Sequence, residues 1–418
     1  MSGALRLPDA RWLREGPAAR VLKLLNADGE EARVVGGAVR NALLGLPIGE
    51  IDIATTAVPE EVNRRAKVAG IKSVPTGIEH GTVTLVLDAK PFEVTTLRED
   101  TETFGRKAKV AFGRDWVRDA ERRDFTVNGL SVDAEGNVHD YVGGLEDIAA
   151  RRVRFIGEPE KRIAEDYLRI LRFFRIHAAY GEGLPDRAGY LACISGRAGL
   201  ANLSAERIRV EILKLMVADG AAASVNAMVE GGLSLPIFGG VAYLGPFAAL
   251  ISIEQTLGLV PDPIRRLGAL AVAVTEDARR VASRLRLTNA ETKTLDSMGH
   301  RWWRLGGMDE ARARRRLYRL GEERYRDRLL LAWARSGERS DDPSWRDLAS
   351  LPGRWTAPKF PLRAADFLAR GIAQGPELGR VLALAEDAWL AAEFPLDQRS
   401  LETIADQAMA RLTREPKS

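Results

Sequence analysis

The chain of 418 residues holds one cysteine, Cys193, and four histidines, His80, His139, His177 and His300. One cysteine excludes an intrachain disulfide, and these few Cys and His residues have no spacing of a structural zinc site. The scarcity fits a reducing, intracellular compartment. No apolar run reaches the ~18–20 residues that a membrane-spanning helix needs. Met1-Ser2-Gly3-Ala4-Leu5-Arg6 lacks the apolar core of a secretory signal. A cytoplasmic protein without a membrane partner is therefore expected. Net charge is scarce too: 62 Lys and Arg against 58 Asp and Glu leave +4. The placement of charge then says more than its total. Hydrophobic residues, at 45%, suffice for buried cores, and the length suggests roughly three domains.

Residues 1–150 read as mixed helix and strand. Ala18 to Leu25 has helical spacing and leads to an apolar strand, Ala32-Arg33-Val34-Val35. Gly36-Gly37 interrupts it, Val39 to Leu44 reads as helix, and Glu50-Ile51-Asp52-Ile53-Ala54 as strand. Thr82 to Leu87 and Phe92 to Leu97 are β-rich, and Gly136-Asn137 marks a turn. Beyond about residue 150 the pattern is helical throughout. Glu158 to Tyr180 spaces Ile163, Leu168, Leu171, Phe174 and His177 as one helix face. Ser204 stands where a capped helix begins. Asp341-Asp342-Pro343 and Leu351-Pro352-Gly353 read as linkers.

Glu50 and Asp52, two apart on a strand, share one face. Two convergent carboxylates suit Mg²⁺, a hard cation that shares oxygen ligands with substrate phosphates. Such ions activate a hydroxyl nucleophile and stabilise a leaving pyrophosphate. An isolated acidic pair is more often an exposed strand face, but the preceding residues change its meaning. Gly36 and Gly37 sit at a strand-to-helix junction, where bare backbone and helix N–H groups admit a phosphate closely and Arg40 adds charge.

The string Gly36-Gly37-Ala38-Val39-Arg40-Asn41-Ala42-Leu43-Leu44-Gly45, followed by Glu50-Ile51-Asp52-Ile53-Ala54-Thr55, resembles the first motif of class II tRNA nucleotidyltransferases and bacterial poly(A) polymerases, of the polymerase-β-like nucleotidyltransferase superfamily. Asn41 and Glu50 stand where the family usually has Asp. Arg122-Arg123-Asp124-Phe125-Thr126-Val127-Asn128-Gly129 resembles its ribose-contacting motif, in which Arg123, Asp124 and Asn128 supply donors and acceptors. Asp140 to Asp147 resembles the motif joining head to neck, and Ser204 to Glu211 the final neck motif, whose charges fix the neck helix. Glu165 to Arg175 resembles the nucleobase-selecting helix. There Asp166 and Arg169, three apart, can neighbour one another. A carboxylate accepts from the amino group of cytosine or adenine, and a guanidinium donates to the ring nitrogen. Uracil and guanine reverse that pattern, at roughly 1–3 kcal/mol per unsatisfied group. Arg172 and Arg175 reach the triphosphate by the same resemblance.

The resemblance covers about residues 34–215. It implies an α+β nucleotidyltransferase head with a mixed β-sheet at 1–150, then an all-α neck at 151–220, body at 221–340 and RNA-binding tail at 341–418. It further implies addition of CCA to the tRNA 3′ end from CTP and ATP, with Mg²⁺ and without a nucleic-acid template, by a monomer or homodimer. Alternatives are poly(A) addition, CC or A addition alone, and an inactive RNA-binding protein. His80-Gly81-Thr82-Val83-Thr84 and Glu93 to Arg98 resemble CCA-adding enzymes. The full-length stretch Arg98 to Arg122 argues against CC addition alone. Glu93 is either a third carboxylate or base, or the partner of an arginine. No second His-Asp pair accompanies His139-Asp140, so no phosphohydrolase activity is expected.

Residues 301–340 carry 12 Arg against six acidic residues. Arg312, Arg315, Arg316 and Arg319, with Arg314, cluster on one expected helix, near Trp302, Trp303 and Tyr318. This reads as a groove for an RNA backbone, with Trp302 and Trp303 as packing residues.

Overall fold

The computed structural model describes residues 5–7, 9–77, 81–104 and 107–414. His80, Gly105 and Arg106 lie outside the described residues. Contacts divide the chain into two compact units, Met1–Ala242 with Arg284–Arg286, and Tyr243–Ser283 with Leu287–Ser418.

The first unit opens with a mixed sheet. Its strands are β1 (Ala32–Val35), β2 (Asp52–Thr55), β3 (Lys72–Gly77), β4 (Thr82–Leu87), β5 (Lys90–Thr96), β8 (Ser131–Val132) and β9 (Val138–His139), ordered β3-β4-β5-β2-β1-β8-β9. A separate hairpin pairs β6 (Arg98–Phe104) with β7 (Lys107–Phe112), within the stretch Arg98 to Arg122. β2 and β5 run parallel, with Asp52 opposite Glu93; β1 and β2 are antiparallel, with Val35 opposite Asp52. Alternate residues of β4 are buried, as period-two side chains require. They join Val34, Ile53, Val94, Leu22 and Leu25 in one core. The expected turn at Gly136-Asn137 separates β8 from β9, with Gly136 at φ +89°.

Every regular element described beyond residue 150 is a helix, apart from an isolated bridge at Phe155. Three expectations need correction. Glu50 is not on a strand: β2 begins at Asp52, because Pro47 and Gly49 interrupt regular pairing ahead of it. Glu158 to Tyr180 is not one helix but two, Pro159–Glu165 and Leu168–Tyr180. Asp166 between them is extended, at φ −154° and ψ 107°, and its carboxylate accepts from the Leu168 N–H at 3.2 Å, an Asp preference that competes with helix continuation. Leu351-Pro352-Gly353 is not a linker but the end of the helix Pro343–Arg354, which Asp342 caps through the N–H groups of Ser344 and Trp345. The helix Ala205–Met216 does begin after Ser204, but without a side-chain cap bond.

The second unit is all helix. Its buried polar knot sets Glu254 against Arg266 at 2.6 Å and Arg265 at 2.9 Å. Trp389 and Phe394 centre a further core with Val381 and Ile404.

Candidate active site

Gly36 ends β1 at φ +71°, a conformation natural to glycine. It lets the helix Gly37–Leu43 start where the strand stops. The chain then returns along β2, which puts Asp52 beside this turn. The ribose-like string enters from the other side, and the two helices either side of Asp166 close the wall. Gly36, Gly37, Arg40, Glu50, Asp52, Arg123, Asp124, Asn128, Asp166, Arg169, Arg172 and Arg175 all line one cleft of about 510 Å³, joined by Ile176 and Lys214. Every residue expected to bind nucleotide or metal is therefore brought together, although Glu50 arrives from a loop.

A buried chain of hydrogen bonds runs through the cleft floor. Arg40 donates to Asn128, Asn128 Nδ2 to Asp124 Oδ1 at 3.1 Å, and Arg172 Nε to Asp124 Oδ2 at 2.7 Å. The Phe125 N–H adds a fourth contact at 2.9 Å. Burial alone would raise the Asp124 carboxyl, but Arg172, Asn128 and that N–H hold it below the usual range. The Arg40 guanidinium also lies 3.7 Å from the Tyr180 ring centroid, a cation–π contact worth up to about 2 kcal/mol where desolvated. Arg123 is anchored to the buried Asp119 at 2.9 Å.

Asp52 is reachable from solvent, yet its pKa is raised. Loss of hydration at the cleft wall is the main cause; Glu93 and Glu50 add to it, and Arg123 opposes. A cation between Glu50 and Asp52 would relieve that repulsion. Among the described residues no group of three or more His, Cys, Asp or Glu forms a metal cluster. Glu93 is exposed on β5 and stands outside the cleft lining.

Asp166 and Arg169 share the cleft but do not pair with each other. The helix break turns Asp166 toward Arg207, whose two Nη atoms donate to its carboxylate at 3.1 and 2.6 Å. Arg169 instead meets Glu165 at 2.5 Å and the Arg162 carbonyl at 2.6 Å. Arg175 meets Glu211 at 2.5 Å. Arg207 and Glu211 lie one turn apart on the helix Ala205–Met216, so one helix holds two residues of the cleft, Asp166 and Arg175. Sequence reasoning had these charges only as a brace for the neck. It missed Asp119, Tyr180 and Lys214 altogether. It also missed Gly199, where a Cβ would overlap the Tyr167 ring beside Asp166.

In the second unit, Arg312, Arg315, Arg316 and Arg319 follow helical spacing on Glu310–Leu320. Arg319 is paired with Asp387. Trp302 is partly buried and donates Nε1 to the Ala273 carbonyl at 2.9 Å. Trp303, expected to pack, is 52% exposed.

Models of known families match two stretches, the poly A polymerase head domain over residues 32–154 and the probable RNA and SrmB-binding site of polymerase A over 194–244. The mitochondrial CCA tRNA nucleotidyltransferase 1 of Danio rerio is 33% identical over 395 residues, 90% of this chain and 88% of that protein. The CCA-adding enzyme of Limosilactobacillus fermentum is 30% identical over 382 residues, 88% of this chain and 90% of that protein. A crystal structure of the Bacillus stearothermophilus CCA-adding enzyme in complex with CTP shares 26% identity and a TM-score of 0.71, covering 95% of this chain and 98% of that one.

Proposed function

The chain belongs to the CCA tRNA nucleotidyltransferase family, and we propose that it adds C, C and A to the tRNA 3′ end from CTP and ATP. No nucleic-acid template is needed. The observation that carries this reading is the single cleft in which a phosphate turn, two carboxylates, a sugar-binding network and a base-reading pair converge.

The residues divide the work by their chemistry. The backbone at Gly36 and Gly37 admits phosphates, and Arg40, Arg172 and Arg175 neutralise them. Arg123, Asp124 and Asn128 hold the ribose hydroxyls. Asp166 and Arg169 read the pairing edge of cytosine or adenine once the base displaces part of their present pairing. A divalent metal goes with the family; we assign it as Mg²⁺, held by Glu50 and Asp52. There it would polarise the α-phosphate and lower the pKa of the attacking 3′-hydroxyl. The remaining residues fix the α-phosphate in line with that hydroxyl, which is worth several kcal/mol of entropy supplied beforehand.

We place the protein in the cytoplasm, as a monomer or homodimer, with a head to about residue 150, neck to 220, body to 340 and tail beyond. No helix of the described residues is long and apolar enough to cross a membrane.

Incorporation of each labelled NTP, with Mg²⁺, into tRNAs lacking CCA, ending in C and ending in CC tests the reading. Two C then one A, with UTP and GTP rejected, is expected. A alone on the CC-ended tRNA would make it an A-adding enzyme, and long A tails on any RNA a poly(A) polymerase.

A further inference from the structure

Asn41 follows Arg40 on the helix Gly37–Leu43, and its side-chain amide is used in both directions. Asn41 Oδ1 accepts from Arg40 Nη2 at 3.0 Å and from Arg40 Nε at 3.3 Å. Asn41 Nδ2 donates to the Pro47 carbonyl at 2.9 Å. The backbone adds a second tie, from the Leu46 N–H to the Asn41 carbonyl at 2.8 Å. The helix thus ends in a turn, with Gly45 at φ +67°, whose outgoing leg is bound back to Asn41 twice.

The neighbours settle which way the amide points. Reversed, its NH₂ would face a guanidinium that only donates, and its oxygen a carbonyl that only accepts. A carboxylate at this position could still take Arg40. It has no hydrogen for Pro47, however, and would set oxygen against oxygen.

The two halves of the amide serve different groups of the cleft. The oxygen joins Asn128 and the Tyr180 ring around the buried Arg40 guanidinium. The nitrogen holds the chain that delivers Glu50. No regular element lies between Leu43 and Asp52, so no ladder of backbone bonds fixes that stretch. Ile48 and Ile51 pack against the head core, while Glu50 between them is exposed and lines the cleft. The carboxylate is therefore placed by β2 on one side and by the Asn41–Pro47 tie on the other. Asn41 and Glu50 are also the two positions at which the motif has Asn and Glu in place of Asp, and the structure joins them through this one loop.

We propose that Asn41 is a positioning residue whose amide couples Arg40 to the loop bearing Glu50, so that one side chain sets both the phosphate grip and a metal ligand. This rests on Glu50 holding the metal in the proposed reaction.

The test compares the full chain with Asn41→Asp, Asn41→Leu, Glu50→Gln and the double variant of Asn41→Asp with Glu50→Gln. Mn²⁺ affinity without nucleotide is read from the EPR signal of the free ion, CTP affinity is measured without metal, and a thermal melt follows each fold. Asn41→Asp is isosteric at a half-buried position and keeps an acceptor for Arg40. It should weaken Mn²⁺ binding by about tenfold or more, the scale for losing a partner that orients a ligand. Its added negative charge alone would act the other way. Metal-free CTP binding should stay near wild type. Asn41→Leu removes the Arg40 acceptor as well, and should weaken metal-free CTP binding by about tenfold in addition. In the Glu50→Gln background, Asn41→Asp should add no further metal loss, which a general structural loss would. Wild-type Mn²⁺ affinity in both Asn41 variants, or additive losses in the double variant, would overturn the proposal. Glu50→Gln binding Mn²⁺ like wild type would remove the ligand assignment and the coupling with it. A wild type that incorporates no nucleotide would sink the CCA-adding reading, while the binding comparisons would still decide the coupling.

Discussion

In the first unit the arginines of the cleft each have an acceptor: Arg123 on Asp119, Arg172 on Asp124, Arg175 on Glu211, Arg169 on Glu165. In the second unit Arg279, Lys293, Arg312, Arg315 and Arg324 have no carboxylate partner among the described residues. The same side chain is thus put to two uses. Where a small ligand must be read atom by atom, each guanidinium is oriented beforehand by an acceptor, a carboxylate for these four and the Asn128 amide oxygen for Arg40, and little reorganisation remains when the ligand arrives. Arg312 and Arg315, read in the sequence as part of a groove for an RNA backbone, have no such anchor; a polyanion held whatever its sequence needs none, since counterions occupy the cations until phosphates displace them. Salt should therefore act mainly through the second unit, and substitution of one residue mainly through the first.

The largest expected effect breaks the first cleft alone. Asp52→Asn removes a metal ligand and should cut incorporation by roughly 10³-fold or more, several kcal/mol of transition-state stabilisation. Its tRNA affinity and salt slope should stay at wild type. Stability should not fall, because the folded environment raises the Asp52 pKa, so its charge opposes folding at neutral pH. Single-turnover incorporation beside a thermal melt checks both, and an active Asp52→Asn protein would remove the metal assignment.

Much of this cleft was legible because its signals are local. Gly36 and Gly37 declare a turn, and the strings around Asp52, Asp124 and Asp166 come in a recognisable order. Helical periodicity likewise put Arg312, Arg315, Arg316 and Arg319 on one face. What failed was inference from spacing without knowledge of the break. Two-residue spacing implied one strand face for Glu50 and Asp52, but irregular chain before β2 carries Glu50 in. Three-residue spacing implied an Asp166–Arg169 pair, but the helix stops at Asp166 and its partner is Arg207, 41 positions away. Partners supplied by a distant helix leave no local trace.

Arg207 offers the next test, smaller in size and aimed at selectivity. If the bidentate Arg207 contact orients Asp166 for the base, Arg207→Ala should raise KM for CTP and ATP by about tenfold, the scale set by losing the partner that orients a binding group. The preference for CTP over UTP should fall with it, and Arg207→Lys should restore part of both. The ratio of kcat/KM for the two nucleotides is the readout. A lower KM for CTP in Arg207→Ala would instead make the pair a latch that the base must open, and the first cleft would be less preorganised than the comparison holds.

The smallest expected effect concerns Glu93, which faces Asp52 across the parallel β2–β5 register. After burial it is the largest cause of the raised Asp52 pKa. Asp52 must be ionised to hold a cation, so activity is present above its folded pKa and lost as pH falls through it. Glu93→Gln removes one negative neighbour and should move this acid limb to lower pH. The plateau rate should stay within about tenfold, under ~1.4 kcal/mol, since Glu93 lies outside the cleft lining. A pH profile of kcat/KM at saturating metal distinguishes this from a direct role. A plateau that collapses as far as in Asp52→Asn would make Glu93 a third ligand, and the first cleft would then owe its order to a metal as much as to its paired arginines.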